Sequence, residues 1–203
     1  MKKLFTTLFA VLFIATAFAF QSTDTVTTDR STPWQLDANH SNVDFTIRWM
    51  MTPVRGSFSS YEAQVNFDPA DLENSMIDVK IDVNSVDTNN QRRDNHLKSD
   101  DFFHTEEWPQ MHFRSTRIEQ TGENEFVAHG EMTIRDVTKE FELPFTLIGI
   151  MDDPRNETRK LAAISAETTL LRNDYGVGVG SYAATATIGN EVNIKLSLTL
   201  QSR

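Results

Sequence analysis

The chain of 203 residues contains no cysteine. In an exported protein this absence excludes disulfides, thiol nucleophiles and thiolate metal sites. The histidines are too far apart along the chain to form the close pairs that are typical of metal-binding motifs, and no nucleophile elbow is present. They are His40, His96, His104, His112 and His129. We therefore expect no metal site, no cofactor and no catalytic residues.

Long hydrophobic runs are absent except at the start of the chain. There, two lysines precede an apolar run from Leu4 to Phe18. Ala17 and Ala19 are the small residues that signal peptidase prefers, and the run is short for a membrane span. The pattern predicts a signal peptide over residues 1–19, cleavage after Ala19, and no transmembrane segment after that cleavage.

The segment behind the signal peptide is also poor in apolar side chains. Residues 20–33 are mostly Thr, Ser and Asp, and such a segment cannot bury enough surface to fold. We expect a disordered lead-in over residues 20–33 and one folded domain over residues 34–203. That length is sufficient for a core without disulfides or a structural metal. The protein is therefore expected to be exported.

Basic residues are scarce. The chain has 19 basic and 29 acidic residues, and loss of Lys2 and Lys3 with the signal peptide leaves 17 − 29 = −12. A surface of this sign repels phosphate backbones and anionic membranes in general. Arg92 and Arg93 are a rare basic pair. Nucleic acid is therefore not expected as a partner.

Apolar and polar residues alternate through most of the domain, which predicts strands with one apolar face. Residues 52–56 include Pro and Gly and predict a break after the first long strand. Residues 121–124 predict a hairpin turn. Along residues 43–51 the apolar residues in phase are Val43, Phe45, Ile47, Trp49 and Met51.

Two residues depart from the alternation. Ile118 falls out of phase with Met111, Phe113 and Ser115, so it is expected on the opposite face. Pro144 lies inside a predicted strand and lacks a backbone N–H, which predicts an edge strand or a bulge. Seven or eight strands with short connections favour an all-β fold, either a sandwich or an antiparallel eight-stranded barrel. Closure removes exposed edges, so we prefer the barrel.

The stretch from Val83 to Phe113 interrupts the strand pattern. Polar and charged residues crowd together there, and a short helix is predicted from about Asn90 to Ser99, with Thr88 as its N-terminal cap. We expect this helix to lie across the barrel opening. An eight-stranded barrel either fills with side chains or keeps room for one small ligand, and periodicity alone leaves both open.

Several motifs resemble those of the YceI-like family. They are the runs 36–45, 54–58, 86–88, 93–103, 130–139 and 171–176, among which Arg93-Asp94-Asn95-His96-Leu97 is the most specific. The resemblance covers residues 34–200. It implies a lipocalin-like antiparallel barrel with a short helix near its opening. It also implies an exported bacterial protein, in the periplasm or the medium, whose apolar tunnel holds a polyisoprenoid or another long-chain lipid, without enzymatic activity.

Two positions depart from the family pattern. Trp49 and Asp136 stand where the family usually has His and Gly. Trp49, in phase with Phe45, is expected to narrow or shorten the tunnel, whereas Asp136 is expected in a turn.

The resemblance and the alternation together predict a ligand site. Arg55, Arg93 and His96 are the expected head-group contacts, because phosphate or carboxylate requires charged donors. For Arg93 a salt bridge to Asp94, and for Arg55 a role in a turn, are alternatives. The expected tunnel residues are Phe45, Ile47, Trp49, Phe58, Leu97, Phe102, Phe103, Met111, Phe113, Met132, Phe141 and Phe145.

Three functions are therefore considered. The first is a carrier or store of a lipid-like small molecule. The second is an enzyme that acts on an isoprenoid lipid, and the third is a packed barrel that serves as a stress or interaction module without ligand. A homodimer is compatible with the sequence, which does not decide the oligomeric state.

Overall fold

The structure is a computed structural model and describes residues 33–202. The expected signal peptide and residues 20–32 of the expected lead-in lie outside the described residues, whereas Pro33 begins the first strand. Eleven strands and one α-helix are present in this range. In chain order they are β1 (Pro33–Leu36), β2 (Asn42–Trp49), β3 (Thr52–Phe58), β4 (Tyr61–Asn66), β5 (Met76–Asp82), β6 (Val86–Asp87), α1 (Gln91–Lys98), β7 (Gln110–Gln120), β8 (Glu125–Ile134), β9 (Val137–Asp153), β10 (Asn156–Leu171) and β11 (Ile188–Ser202).

The strands form one antiparallel sheet that closes on itself. Strands β1, β4, β5, β7, β8, β9, β10 and β11 follow one another around the ring, and pairing of β1 with β11 closes it. Strand β1 pairs with residues 200–202 of β11, and β2 pairs with residues 188–197 of the same strand, so β2 continues the line of β1. Strand β3 pairs with β2, and β4 with β1, so β4 continues the line of β3. The pairs β1/β2 and β3/β4 are therefore two long bent strands, and the predicted eight-stranded barrel is confirmed.

The first hairpin differs from the prediction. Residues 52–56, expected to break the chain, belong to β3, and the turn lies at Met50 and Met51. Met51 is 94% exposed and does not face the interior. Gly56 fits the strand because it faces Phe45, whose ring would lie 2.5 Å from a Cβ atom at that position.

The phase change in β7 is caused by a bulge. The pairing of β7 with β8 shifts between Ser115 and Arg117, so one extra residue restores the phase. Ser115 and Ile118 are consequently both buried, and the expectation that Ile118 faces outward is wrong. Gly130 lies opposite the bulge, where a Cβ atom would be 2.2 Å from the carbonyl oxygen of Arg114.

Pro144 marks a change of pairing in β9. Before Thr146, β9 is paired with β8 alone, and its pairing with β10 begins between Thr146 and Ser165. Beyond Ser165, β10 is paired with β11 alone. The predicted edge position of Pro144 is confirmed, since the described parts of β9 and β10 separate toward one end of the barrel.

Two apolar clusters occupy the two ends of the barrel interior. The first, which we call the packed end, consists of buried residues from all eight strands of the ring. They include Trp34, Phe67, Phe113, Phe126, Phe145 and Leu200. The second, the mouth end, lies beneath α1 and the connection from β10 to β11, and includes Val43, Phe58, Phe102, Met111, Tyr175 and Val177.

Helix α1 lies within the predicted range, but its cap is Asn90, whose side chain accepts a hydrogen bond from the backbone N–H of Arg93 at 3.1 Å. Thr88 is not the cap because its hydroxyl is used elsewhere. That hydroxyl donates to Asp94 Oδ1 at 2.5 Å and accepts from Arg93 Nε at 2.6 Å. The start of the helix is thereby fastened to the chain that follows β6.

Candidate functional site

The barrel contains a cavity of about 750 Å³ above the packed end. Its deep wall is made by partly buried side chains that rest on the first cluster, and they are Leu36, Ala63, Val79, Met132, Phe141, Leu143, Leu196 and Leu198. Its lining also includes exposed residues of the β2 terminus and α1, namely Arg48, Trp49, Asn90 and Arg92. These exposed residues mark where the cavity reaches the surface. The barrel interior is thus only partly filled by side chains.

Most of the predicted tunnel residues lie on the cavity wall. These are Phe45, Ile47, Trp49, Phe58, Leu97, Phe102, Phe103, Met111, Phe113, Met132 and Phe141. Phe145 does not reach the cavity. Its ring is stacked on Phe126 at 5.3 Å and packs edge-on against Phe67 at 5.4 Å, inside the packed end. Alternation predicts the inward face of Phe145 but cannot tell a core position from a cavity position.

Trp49 lies at the rim of the cavity and not deep inside it. It is the last residue of β2, it is 48% exposed, and its backbone pairs with Ile188 on one side and Thr52 on the other. The inward phase of Trp49 was predicted correctly. Its height along the barrel axis could not be predicted, because the turn was expected several residues later.

Arg93 contributes a guanidinium group to the cavity wall. Its Nε donates to the Thr88 hydroxyl at 2.6 Å and its Nη2 to the Thr88 carbonyl oxygen at 2.7 Å. Asp94 accepts hydrogen bonds from the same threonine, at the backbone N–H and the hydroxyl. The two charged residues therefore meet through Thr88, and no direct Arg93–Asp94 ion pair occurs among the described residues. Nη1 of Arg93 makes no hydrogen bond within the described chain.

The other two expected head-group residues differ in position. His96 lines the cavity, with Nε2 at 3.1 Å from Asp101 Oδ2 and its ring edge-on to Phe102 at 4.9 Å. Arg55 lies outside the cavity. It lines a shallow depression on the outer face of the sheet, together with Glu167 and Lys195. Its strand position, opposite Thr46, points it away from the barrel interior.

Arg172 is a cavity residue that the sequence analysis did not identify. It is 3% exposed and donates to five backbone carbonyl oxygens, those of Val177, Gly178, Tyr182, Ile188 and Gly189, at 2.5 to 3.1 Å. Burial lowers the pKa of its guanidinium group. The motif 171–176 marked this position without indicating its role, because the accepting carbonyls become neighbours only through the fold.

The charge along the cavity wall is opposite in sign to the charge of the whole chain. The full sequence carries a net charge of −10. The arginines among the lining residues are Arg48, Arg92, Arg93 and Arg172, and Asp44 is the one carboxylate among them. Arg48 and Arg92 were not predicted as site residues. The cavity therefore combines an apolar interior with a surplus of positive charge, which favours an anionic group on any bound amphiphile.

Arg135 joins the segment that follows α1 to the connection between β10 and β11, beside the cavity. Arg135 donates from Nη1 to the carbonyl oxygens of Phe102 at 2.8 Å and Gly176 at 2.5 Å. Gly178 has a φ of 68°, and a Cβ atom there would be 2.7 Å from both the Phe102 ring and Arg172 Nη1.

The positive φ in the β8–β9 turn belongs to Arg135, so Asp136 occupies its turn without needing the conformation that favours glycine.

Two further properties concern residues 33–202. No three His, Cys, Asp or Glu side chains in this range are grouped so that they could hold a metal ion. Within the same residues, no helix has the length and apolar character required to cross a membrane.

Known proteins with similar sequences identify the family of this chain. The family model described as "YceI-like domain" matches residues 34–200. A UPF0312 protein of Shewanella denitrificans is 29% identical over 163 residues, which is 80% of this chain and 81% of that protein. A UPF0312 protein of Staphylococcus epidermidis is 30% identical over 171 residues, which cover 84% and 96%.

Solved structures agree with this match. BcnA of Burkholderia cenocepacia superimposes with a TM-score of 0.73 at 27% identity and covers 81% of this chain and 98% of its own. A polyisoprenoid binding domain from Saccharophagus degradans superimposes with a TM-score of 0.63 at 13% identity, covering 85% and 99%, and at that identity it shows a shared fold. With the family model spanning the whole barrel, the chain belongs to the YceI-like family.

Proposed function

We propose that this protein is an exported binding protein that holds a polyisoprenoid or another long-chain amphiphilic lipid in the barrel cavity, for carriage or storage. The observation that carries the proposal is the cavity of about 750 Å³, whose wall is mostly apolar. Its volume lies inside the range of roughly 300–1,000 Å³ that is usual for small-molecule sites. The proposed site of action is the periplasm or the medium.

Burial of an apolar chain supplies the main driving force. Each methylene group removed from water contributes about 0.8 kcal/mol, so ten groups contribute about 8 kcal/mol. A free energy of about 8 kcal/mol corresponds to a dissociation constant near 1 μM before the entropic costs of association are subtracted. Useful affinity is therefore within reach with few polar contacts.

The head group is proposed to carry negative charge. Arg93 is half-buried on the wall and keeps Nη1 for a ligand, and Arg92 and Arg48 add charge nearby. Arg172 contributes a fixed positive charge although its donors are occupied by carbonyl oxygens. Phosphate, pyrophosphate and carboxylate groups fit this set of arginines.

Binding is proposed in preference to catalysis. The titratable groups on the cavity wall other than arginines are Asp44, Tyr61, His96 and Tyr182. His96 is held by Asp101, and the Tyr61 hydroxyl donates to the carbonyl oxygen of Ser41. An enzyme would place a base or nucleophile beside the buried chain. The solved Saccharophagus degradans domain, described as polyisoprenoid binding, has the same fold and supports a ligand of this class.

Native mass spectrometry of protein purified from its own host tests the proposal, followed by solvent extraction of whatever travels with it. Ala63→Phe fills the deep cavity, and the neighbouring exposed position on the same strand provides the control Gln64→Phe. We expect a co-purifying long-chain lipid in the wild type and the control, and its loss in Ala63→Phe. Repeated empty preparations, together with no thermal stabilisation by a polyprenyl phosphate series, would contradict it.

A further inference from the structure

The tip of the β2–β3 hairpin exposes three consecutive large apolar side chains. Trp49 is 48% exposed, Met50 49% and Met51 94%. Strand alternation places every second side chain in the barrel interior, but these residues lie at and beyond the end of β2, where no layer formed by residues 33–202 covers them. Tryptophan is enriched where proteins meet the interface of a bilayer, and methionine adapts to irregular apolar surfaces.

The backbone of this tip is held in place by the adjacent connection before β11. Arg48 donates to the carbonyl oxygens of Thr185 at 2.5 Å and Ala186 at 3.3 Å, and also to that of Met50. The backbone N–H of Met50 donates to the carbonyl oxygen of Thr187 at 2.6 Å. The apolar side chains are therefore presented on a fixed support.

Charge is distributed unevenly around the tip. The chain has 29 acidic residues, yet none occurs between Asp44 and Glu62 or between Asp174 and Glu191. These two segments contain the tip and the connection that supports it. The first segment carries two arginines, at positions 48 and 55. The repulsion from anionic lipid that the whole chain predicts is thus relieved at the tip itself.

The tip is continuous with the cavity. Ile47, Arg48 and Trp49 line the cavity wall and lead directly into Met50 and Met51. A surface that receives the two methionines also lies beside the place where the cavity reaches the exterior. A lipid chain could then pass between that surface and the cavity with little exposure to water, which removes the main unfavourable step of its transfer.

We propose that the β2–β3 tip, residues 49–51, docks the protein on a lipid bilayer, so that the cavity loads and unloads at the membrane surface. This inference rests on the proposed function. A bilayer is the occupant favoured by a Trp-Met-Met tip that adjoins a lipid-sized cavity and belongs to a chain segment without carboxylates. Docking to a protein partner or to a second copy of this chain would not explain why the tip adjoins the cavity.

Flotation of the mature protein with vesicles tests docking. One set of vesicles consists of phosphatidylcholine and another of phosphatidylcholine with phosphatidylglycerol. The test variant is Met50→Ser combined with Met51→Ser, and the matched control is Ile148→Ser combined with Met151→Ser, because those residues of β9 are 66% and 58% exposed. We expect the tip variant to lower the vesicle-bound fraction about tenfold, and the control to leave it within about twofold.

Trp49 provides a second measurement. Its emission should shift to shorter wavelength when vesicles are added, and a Trp49→Phe variant should remove that shift while Trp34 and Trp108 remain. Docking is overturned if wild-type protein fails to float with either vesicle, or if tip and control variants lose binding equally. It is also overturned if the tip variant changes the oligomeric state in sedimentation and leaves flotation unchanged.

The outcomes separate this inference from the proposed function. Protein that co-purifies with lipid but never floats retains the proposed function and loses the docking tip. Protein that stays empty in native mass spectrometry, yet floats in a manner that depends on Met50 and Met51, supports docking and overturns lipid carriage.

Discussion

The two ends of the barrel are built from the same strands but differ in how their interiors are filled. At the packed end the rings of Phe67 and Phe126 lie 5.1 Å apart, and the indole N–H of Trp34 donates to the Phe67 carbonyl oxygen at 2.8 Å. At the mouth end a cavity of about 750 Å³ remains. Close packing and empty volume thus lie at different ends of the barrel.

Strand pairing differs in the same way. At the packed end, β9 and β10 are paired from Thr146 onward, and β1 closes the ring against β11. Toward the mouth, β9 and β10 have no pairing with each other. The barrel is covered there by α1 and by the β10–β11 connection, in which Arg172 donates hydrogen bonds to five carbonyl oxygens. Hydrogen bonds from side chains replace part of the backbone ladder there, and local opening should require less free energy.

The largest expected effect is at the packed end. Phe126→Ala removes a ring that is 1% exposed, stacked on Phe145 and edge-on to Phe67, and should lower the free energy of unfolding by about 3–5 kcal/mol. Phe141→Ala, on the cavity wall, should lower it by less than about 2 kcal/mol, because the side chain already borders empty space. Urea unfolding followed by circular dichroism measures both. Equal losses would remove the distinction between the two ends.

A second expected effect concerns Arg172. Arg172→Met leaves buried carbonyl oxygens without donors, each at about 1–3 kcal/mol, unless the connection opens to water. We expect it to open, so hydrogen exchange should accelerate over residues 172–189 and bound lipid should be released faster, while β8 stays protected. Arg114→Met, which removes an exposed arginine outside the cavity, is the control. Unchanged exchange in Arg172→Met would show that the connection is held by its apolar contacts.

A third test uses pH at the packed end. Hydrogen bonds to Asp153 from the backbone and side chain of Arg155, and from Arg159, lower the pKa of that carboxyl group to about 2. A lowered pKa means that the stabilisation is complete above the unfolded-state value near 4 and is lost as the pH falls through about 2.

Asp153→Asn should therefore lower the urea midpoint at pH 7, and the difference from wild type should shrink between about pH 4 and pH 2. Asp152→Asn is the matched control, because Asp152 is exposed and, among residues 33–202, its side chain is paired only with Lys160. A difference between wild type and Asp153→Asn that stays constant down to pH 2 would place the effect in packing and not in charge.

The smallest expected effect concerns Trp49. Since its ring lies at the rim, Trp49→Ala should speed lipid release about two- to fivefold, by loss of a contact worth under about 1 kcal/mol, without changing the preferred chain length. Competition among isoprenoid alcohols of increasing length measures the preference. A shift toward longer chains would show that the ring blocks the cavity, as the sequence pattern suggests.

Particular residues show how far the sequence could be interpreted. The in-phase residues of β8, the helix after Asn90 and the edge position of Pro144 follow from local chemistry, and the structure has them as predicted. Ile118 was misplaced because a bulge arises from pairing with another strand. Thr88 was misassigned because Asp94 and Arg93 compete for its hydroxyl.

By itself, the sequence determined the all-β class, the inward face of most strands, the short helix and the family, since these follow from the period of side chains and from ordered motifs. The tertiary structure alone decided that Phe145 fills the core while Phe141 borders a cavity, that Arg55 faces outward, and that Arg172 joins five carbonyl oxygens. The reason is physical. Alternation fixes the face of a strand, but height along the barrel and contact across it depend on register, bulges and closure.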